Sequence, residues 1–339
     1  MPFEENEISS KSNGGTELQM RSLTGVIDPE LLSHFQIISS RPRELQEDKI
    51  RIMFFHDLAG DPEVANFRDQ NYRNKFHHNV FISDWQYQQF VDILKFPMTV
   101  NSSVIEVGFD PIEVDWEAKK SETIRFCYTS TPNRGLEILI PVFDHFSKHH
   151  PDVHLDVFSS FKIYGWDDMD RQYETFYNDI RKHPQMTYQG FVPNSDLKDY
   201  LSKAHVFAYP CIWPETSCKA MEEAMSAGLL CVHPNFAALP LTSGLLNQMY
   251  PFDRDKNVHG NILVQELEKA YDFIKNNPRR DDYLRYVKFY ADNRYNLSRI
   301  KILWENLLTN LLARYPTPES RKWSTDNIIT IDTNSYVNR

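Results

Sequence analysis

The sequence predicts an α/β protein of two doubly wound, parallel-sheet domains, and three observations carry that expectation. Strand-like runs alternate with helical segments of about 10–15 residues through the second half of the chain, the pattern of a parallel sheet. Short apolar runs bounded by turn residues, such as Ile50 to His56 and His205 to Pro210, read as strands buried on both faces. The chain has 339 residues, enough for two domains at roughly 150 residues each.

Taken in order, Asn13-Gly14-Gly15-Thr16-Glu17 is a glycine pair ahead of a helical stretch, Glu17 to Leu23. Ile50 to His56 (IRIMFFH) and Asn79 to Ser83 (NVFIS) are buried strands, and Val104 to Val107 is a third. The charged stretch EVDWEAKKSE after about Asp110 reads as a linker. Thr123 to Ser130 is a strand, followed by a Pro-Asn-Arg-Gly turn and a helix whose Leu136, Leu139, Ile140 and Phe143 recur at helical spacing through Phe146. Val153, Leu155 and Val157 alternate as in a strand. Asp167 to His183 is polar with a helical period, and Met186 to Val192 is a further strand. Asn194 or Ser195 caps a helix through about Ala204. His205 to Pro210 is a strand, Ser217 to Ala227 a helix stopped by Gly228, and Leu229 to His233 a strand. Two helices, near Asp281 to Asp292 and Ser298 to Arg314, close the chain, and the polar tail beyond Pro316 reads as loosely held. The expected domains are residues 1–117, joined by the helix of residues 298–316, and residues 118–297, with a tail over 317–339.

Hydrophobic residues make up 41% and aromatic residues 13%, enough to bury a sizeable core. The net charge of −10 argues against a nucleic-acid partner, because phosphate binding needs a basic surface. It argues equally against broad attachment to anionic membrane, while a local peripheral contact stays compatible with it. No run approaches the roughly 18 uncharged apolar residues of a spanning helix. The acidic, polar start MPFEENEISSKSNGG is unlike a signal or transit peptide, so a cytoplasmic location is expected. Cys127, Cys211, Cys218 and Cys231 show no CxxC spacing, and three of them lie in apolar or strand-like surroundings, where a buried free thiol is expected. Trp166-Asp-Asp-Met-Asp170 mimics an acidic metal-binding triplet, but acids at the first turn of a polar helix are expected for its dipole and solvent alone.

The chemistry concentrates in Trp213-Pro-Glu-Thr-Ser-Cys-Lys-Ala-Met-Glu-Glu-Ala-Met-Ser-Ala-Gly228. It follows a strand and opens a helix, so backbone N–H groups near Ser217, Cys218 and Lys219 make an anion site suited to a diphosphate. Glu215 stands before the helix and Glu223 two turns in, where carboxylates can accept hydrogen bonds from sugar or ribose hydroxyls. Glu215, seven residues, then Glu223-Ala-Met-Ser-Ala-Gly resembles the E-x7-E motif of the retaining GT-B glycosyltransferases of family 4. YTSTPNRGLEIL (Tyr128 to Leu139) resembles the family's phosphate-side loop, with Arg134-Gly135 where Lys-Gly is usual and Thr129 and Ser130 in place of a second basic residue. Val107-Gly-Phe-Asp110 resembles the domain-junction stretch, Tyr188-Gln-Gly-Phe-Val192 the strand end that frames the nucleotide base, and YNLSRIKILWENLL the helix that crosses back to the first domain.

The resemblance implies the GT-B fold, two Rossmann-like domains facing a cleft. It implies that a hexose is moved from a nucleotide-sugar donor with retention, without a metal cofactor, to an acceptor that is a glycan, a lipid or a small molecule. Glu215 would contact the donor hexose and Glu223 the ribose. Gly15, Ser130, Arg134, Val192, Thr216, Ser217 and Cys218 would complete the donor site, with Lys219 assisting at the phosphates. His56, Glu215 and Arg134 would act at the reacting centre, His56 as the cleft histidine at a strand end. The first domain is expected to be reduced, since EENEISS supplies only Ile8 as an apolar anchor before the Gly-Gly loop. A nucleotide-sugar epimerase and a non-catalytic nucleotide-sugar-binding module are the alternatives that the same architecture allows.

Overall fold

The computed structural model describes residues 15–39, 44–97 and 101–323; Asn13, Gly14 and the tail from residue 324 lie outside them. Two parallel sheets organise the chain. The first contains β1 (Phe35–Ser39), β2 (Ile50–Phe55), β3 (His78–Phe81) and β4 (Ser102–Val104), in the order β1-β2-β3-β4. The helices before β5 are α1 (Gly15–Val26), the single turns α2 (Pro29–Leu32) and α3 (Gln70–Arg73), and α4 (Asp84–Leu94). Two clusters fill this domain. Ile37, Ile52 and Phe54 pack with Met20 and Leu23 of α1. Phe55, Phe67, Phe81, Phe90 and Phe96 make a separate aromatic cluster.

The second sheet contains β5 (Ile124–Thr129), β6 (Val153–Phe158), β7 (Met186–Tyr188), β8 (Val206–Ala208), β9 (Leu230–Asn235) and β10 (Gln248–Pro251). Its order is β10-β9-β8-β5-β6-β7, which places the reversal of strand order between β5 and β8. Ligands of doubly wound sheets bind beyond the carboxyl ends of the strands at such a point. The accompanying helices are α5 (Leu136–Ser147), α6 (Glu174–Lys182), α7 (Asn194–Leu201), α8 (Lys219–Ser226), the turn α9 (Leu239–Thr242), α10 (Lys256–Asn276) and α11 (Arg280–Arg294). The last long helix, α12 (Leu297–Arg314), returns to the first domain, where Ile300, Trp304, Leu308 and Leu311 are buried in its core.

The crossing between domains is tight. Phe109 pairs with Asn296 in an isolated parallel bridge, and a Cβ on Gly108 would come within 2.9 Å of the Ile300 side chain. Gln19 of α1 accepts from the Gly108 N–H through its Oε1 at 3.0 Å.

Several sequence expectations need correction. Polar Asp167 to His183 is not one helix: residues Asp167–Tyr173 are 3-10, and α6 starts only at Glu174. Asp170 is no solvated acid. It accepts from the Phe161 N–H at 2.9 Å, from Tyr177 Oη at 3.0 Å and from Ser160 Oγ, so it ties the segment after β6 to α6. Neither Asn194 nor Ser195 caps α7, whose N-cap is Pro193. The tail just past Pro316 is held: Arg321 is buried, its carbonyl accepts from Arg51 Nη2 at 3.0 Å, and its own Nη1 donates to the Asp48 carbonyl at 3.0 Å. The first domain also has a strand ahead of β2, namely β1.

One backbone position governs the second domain's binding edge. Gly135, between β5 and α5, has φ +119°, a region that disfavours residues with a Cβ. A Cβ there would also lie 2.0 Å from the Pro210 carbonyl oxygen. Gly135→Ala should therefore cost roughly 3 kcal/mol or more of stability, seen as a lowered urea midpoint; an unchanged midpoint would show that the turn tolerates a side chain.

Candidate donor-binding site

A cavity of about 540 Å³ opens at the carboxyl ends of β5, β6, β7 and β8. Each wall follows one strand. Thr129 ends β5, with Ser130, Thr131 and Arg134 after it, and Phe158 ends β6, with Ser160, Ile163 and Tyr164 after it. Gly190 to Asn194 follow β7, and Tyr209, Glu215, Ser217 and Cys218 follow β8. Lys219, Ala220 and Glu223 of α8 close the end. The first bonds of α8 run from the N–H groups of Met221 and Glu222 to the Cys218 carbonyl. The N–H groups just ahead of them are the unpaired donors of a helix's first turn, set in the cavity wall with the positive end of the helix dipole behind them.

Glu215 is fixed from three sides. Arg134 Nη1 lies 3.1 Å from its Oε1, both side chains being mostly buried. Tyr209 Oη donates to the same oxygen at 2.7 Å. Its carbonyl accepts from the Ala238 N–H at 3.1 Å, next to Ala237 at φ +51°, a left-handed conformation that costs a non-glycine residue energy. The Arg134 guanidinium also lies over the Trp213 ring, 4.6 Å from its centroid. Burial works against the charge on Arg134, but Glu215 beside it, helped by Tyr209 and Tyr164, more than offsets this and holds the guanidinium more firmly protonated than usual. Nη1 is within ion-pair distance of Glu215 but has no hydrogen-bond acceptor. A firmly charged, incompletely bonded guanidinium at a cavity wall is suited to phosphate oxygens.

Glu223 is almost fully buried, and its Oε1 has no hydrogen-bond partner. Lys219 Nζ stands 3.7 Å away, so the carboxylate is compensated electrostatically while an acceptor position stays open. Such a group invites a hydroxyl.

Of the residues singled out by sequence, Ser130, Arg134, Val192, Glu215, Ser217, Cys218 and Glu223 share this one cavity, and Lys219 joins them. Gly15, Thr216 and His56 do not line it. Gly15 opens α1 in the first domain. Thr216 instead joins the domains: its Oγ1 donates to the His56 carbonyl at 3.1 Å, and its carbonyl accepts from Ser83 Oγ at 2.5 Å. His56 directly follows β2, with its ring edge-on to Phe54, 4.3 Å between centroids. Burial pulls its pKa down to about 3, so the ring is neutral, and its Nε2 has no hydrogen-bond partner. Sequence reasoning missed Tyr209 and Glu222. Tyr209 read as one more apolar strand residue, although its strand's junction with Pro210 and Cys211 marks where side chains turn into the site.

Glu222 is fully buried on α8. Ser217 Oγ lies 2.7 Å from its Oε1, and Oε2 has no partner. Burial pushes its pKa up to about 8, against the opposing pull of Ser217 and Lys219. The folded protein thus holds a proton here that the unfolded chain releases above the ordinary glutamate value of about 4.5. The resulting stabilisation is complete below that value and is lost as pH rises towards 8. The urea midpoint should fall between pH 5 and pH 8 in the wild type and fall less in Glu222→Gln; equal slopes would show that Glu222 does not carry the proton.

Residues 123–247 match the family model described as glycosyl transferases group 1. A search of curated protein sequences returns no match. Among solved structures, the chain is similar to a glycosyltransferase from Rickettsia africae ESF-5, with 11% identity, a TM-score of 0.63, and coverage of 90% of this chain and 84% of that one. It is similar to HepE of Anabaena, determined in complex with UDP and glucose, with 15% identity, a TM-score of 0.59, and coverage of 85% and 81%. It is also similar to sucrose-phosphate synthase of Thermosynechococcus elongatus, with 14% identity, a TM-score of 0.59, and coverage of 78% and 68%. At these identities the likeness is one of fold. The two parallel-sheet domains have the GT-B architecture, and the match to the glycosyl transferases group 1 model falls within the second, over residues 123–247.

Proposed function

We propose that this protein is a glycosyltransferase that moves a hexose from a nucleotide-sugar donor to a hydroxyl-bearing acceptor, with retention at the anomeric carbon and without a metal cofactor. One observation carries the reading. Arg134, Glu215, the first turn of α8 and the open carboxylate of Glu223 all line a single cavity at the reversal of strand order. The diphosphate, hexose and ribose of a nucleotide sugar call for these group types. The UDP complex of HepE makes a nucleoside diphosphate a natural probe.

In this reading the α8 N-terminus and Arg134 meet the charge that develops on the leaving diphosphate, where preorganised donors contribute most. They take the part that a divalent cation plays at other diphosphate sites. Glu223 accepts from the ribose, and Glu215, already oriented by Tyr209 and Arg134, accepts from a hexose hydroxyl. The acceptor oxygen bonds to the anomeric carbon on the face the diphosphate leaves, as the carbon–oxygen bond to phosphate breaks. The departing phosphate oxygen takes the acceptor's proton. His56 stays neutral, does not titrate in the physiological range, and serves only as a positioning group on the first-domain side of the cleft, outside this cavity. The acceptor enters from the first domain and is a glycan, a lipid or a small molecule.

Thermal shift against UDP, GDP, ADP and their sugar conjugates, with and without EDTA, tests the reading. One nucleotide family should raise stability by about 2.7 kcal/mol at a hundredfold excess over its dissociation constant. The shift should survive EDTA and weaken at least about tenfold in apparent affinity in Glu223→Ala and Arg134→Ala. No shift with any nucleotide would sink the donor assignment, and loss of the shift in EDTA would sink metal independence.

A further inference from the structure

Glu222 has no part in the mechanism above, yet the fold buries it completely beside the donor cavity. Its one hydrogen-bond partner is Ser217, whose hydroxyl stands in the cavity wall at the start of α8. The 2.7 Å separation of Ser217 Oγ and Glu222 Oε1 suits a proton running in either direction.

That direction matters because a serine hydroxyl has one proton to give. If Glu222 is ionised, a buried carboxylate with Oε2 already unpartnered claims the Ser217 proton. The serine then shows only lone pairs to the cavity, which repel phosphate oxygens. If Glu222 is protonated, its own O–H can donate to Ser217 Oγ, and the serine proton is released towards the cavity. Resting on the nucleotide-sugar reading, we propose that Glu222 is a positioning residue whose protonated carboxyl turns the Ser217 hydroxyl into a donor to the leaving diphosphate.

The groups facing Glu222 are consistent with this. Along α8 and its entry stand Lys219, which favours the ionised form, and Glu223, which opposes it; Glu106 of the inter-domain segment opposes it too. Cys218 and Tyr295, at the start of α8 and the end of α11, are buried and feel the same carboxyl. Glu106 is itself engaged by Arg294 at 3.2 Å and Arg299 at 3.3 Å, which limits its influence. Burial is the largest effect and keeps the proton on Glu222 up to about pH 8. Donor affinity should therefore fall as pH rises through that value, well below the pH at which the site's own cations would lose their charge.

The test is calorimetric titration of the full chain with the nucleoside diphosphate that gives the thermal shift, at steps from pH 7 to pH 9.5, above the last phosphate ionisation near 6. Wild type should lose affinity by about tenfold across the range, the worth of one charge-assisted hydrogen bond. Glu222→Gln presents an amide N–H to Ser217 and should keep the affinity of pH 7 throughout. Ser217→Ala should bind about tenfold more weakly at pH 7 and show a flat profile. A Gln variant that keeps the wild-type fall, or a Ser217→Ala variant that binds like wild type at pH 7, would overturn the proposal and leave donor binding standing. Failure of the wild type to bind any nucleotide at pH 7 would overturn both, and circular dichroism of each variant separates loss of binding from loss of fold.

Discussion

The approach of Gly135 to the Pro210 carbonyl is the constraint on which the candidate site rests. It presses the turn after β5 against the segment after β8, across the point where strand order reverses. Arg134 precedes that glycine and Glu215 lies five residues beyond that proline, so their ion pair is a consequence of a backbone contact. A side chain at residue 135 would drive the two walls apart. The charge arrangement is thus set by the sheet and its turns, and the side chains only complete it.

A second set of contacts fixes the domains against each other. The Phe109–Asn296 bridge and the packing of Gly108 beneath α12 tie the inter-domain segment to the returning helix. Trp304 then anchors that helix in the first domain's core. On the cleft side the contact runs through Thr216, which is bonded to the His56 carbonyl and to Ser83. First-domain backbone therefore touches the loop between Glu215 and Ser217. A shift of one domain would be felt at the glutamate by direct linkage, without a long chain of intermediates.

The acidic residues of this region differ in what the fold does to them. Glu215 is held through its Oε1 by Tyr209 and Arg134. Glu223 is compensated by Lys219 but keeps an open oxygen. Glu222, one residue away, is turned to the other side of α8 and loses its solvent altogether. The three glutamates fall within nine residues of sequence and have three different electrostatic roles, because helix geometry sends neighbours to different surroundings.

Local sequence determined the α/β class, the strand-turn-helix units around Arg134 and Glu223, the stop at Gly228 and the burial of the cysteines in apolar, strand-like surroundings, because those depend on periodicity, turn chemistry and apolarity within a few residues. It did not reveal β1, β10 or α10. The five residues of β1 are buried throughout and show no alternation, and β10 is only four residues long. Helix α10 contains Gly260, which reads as a breaker; tertiary structure uses it to bring α10 against α5, where a Cβ would meet Val142 at 3.3 Å. Likewise Glu215 and Glu223 were legible as a pair, while the roles of Tyr209, Thr216 and Glu222 were not. Which side chain faces the cavity, which bridges the domains and which is sealed from water depends on what packs against it from distant parts of the chain, and only the tertiary structure decides that.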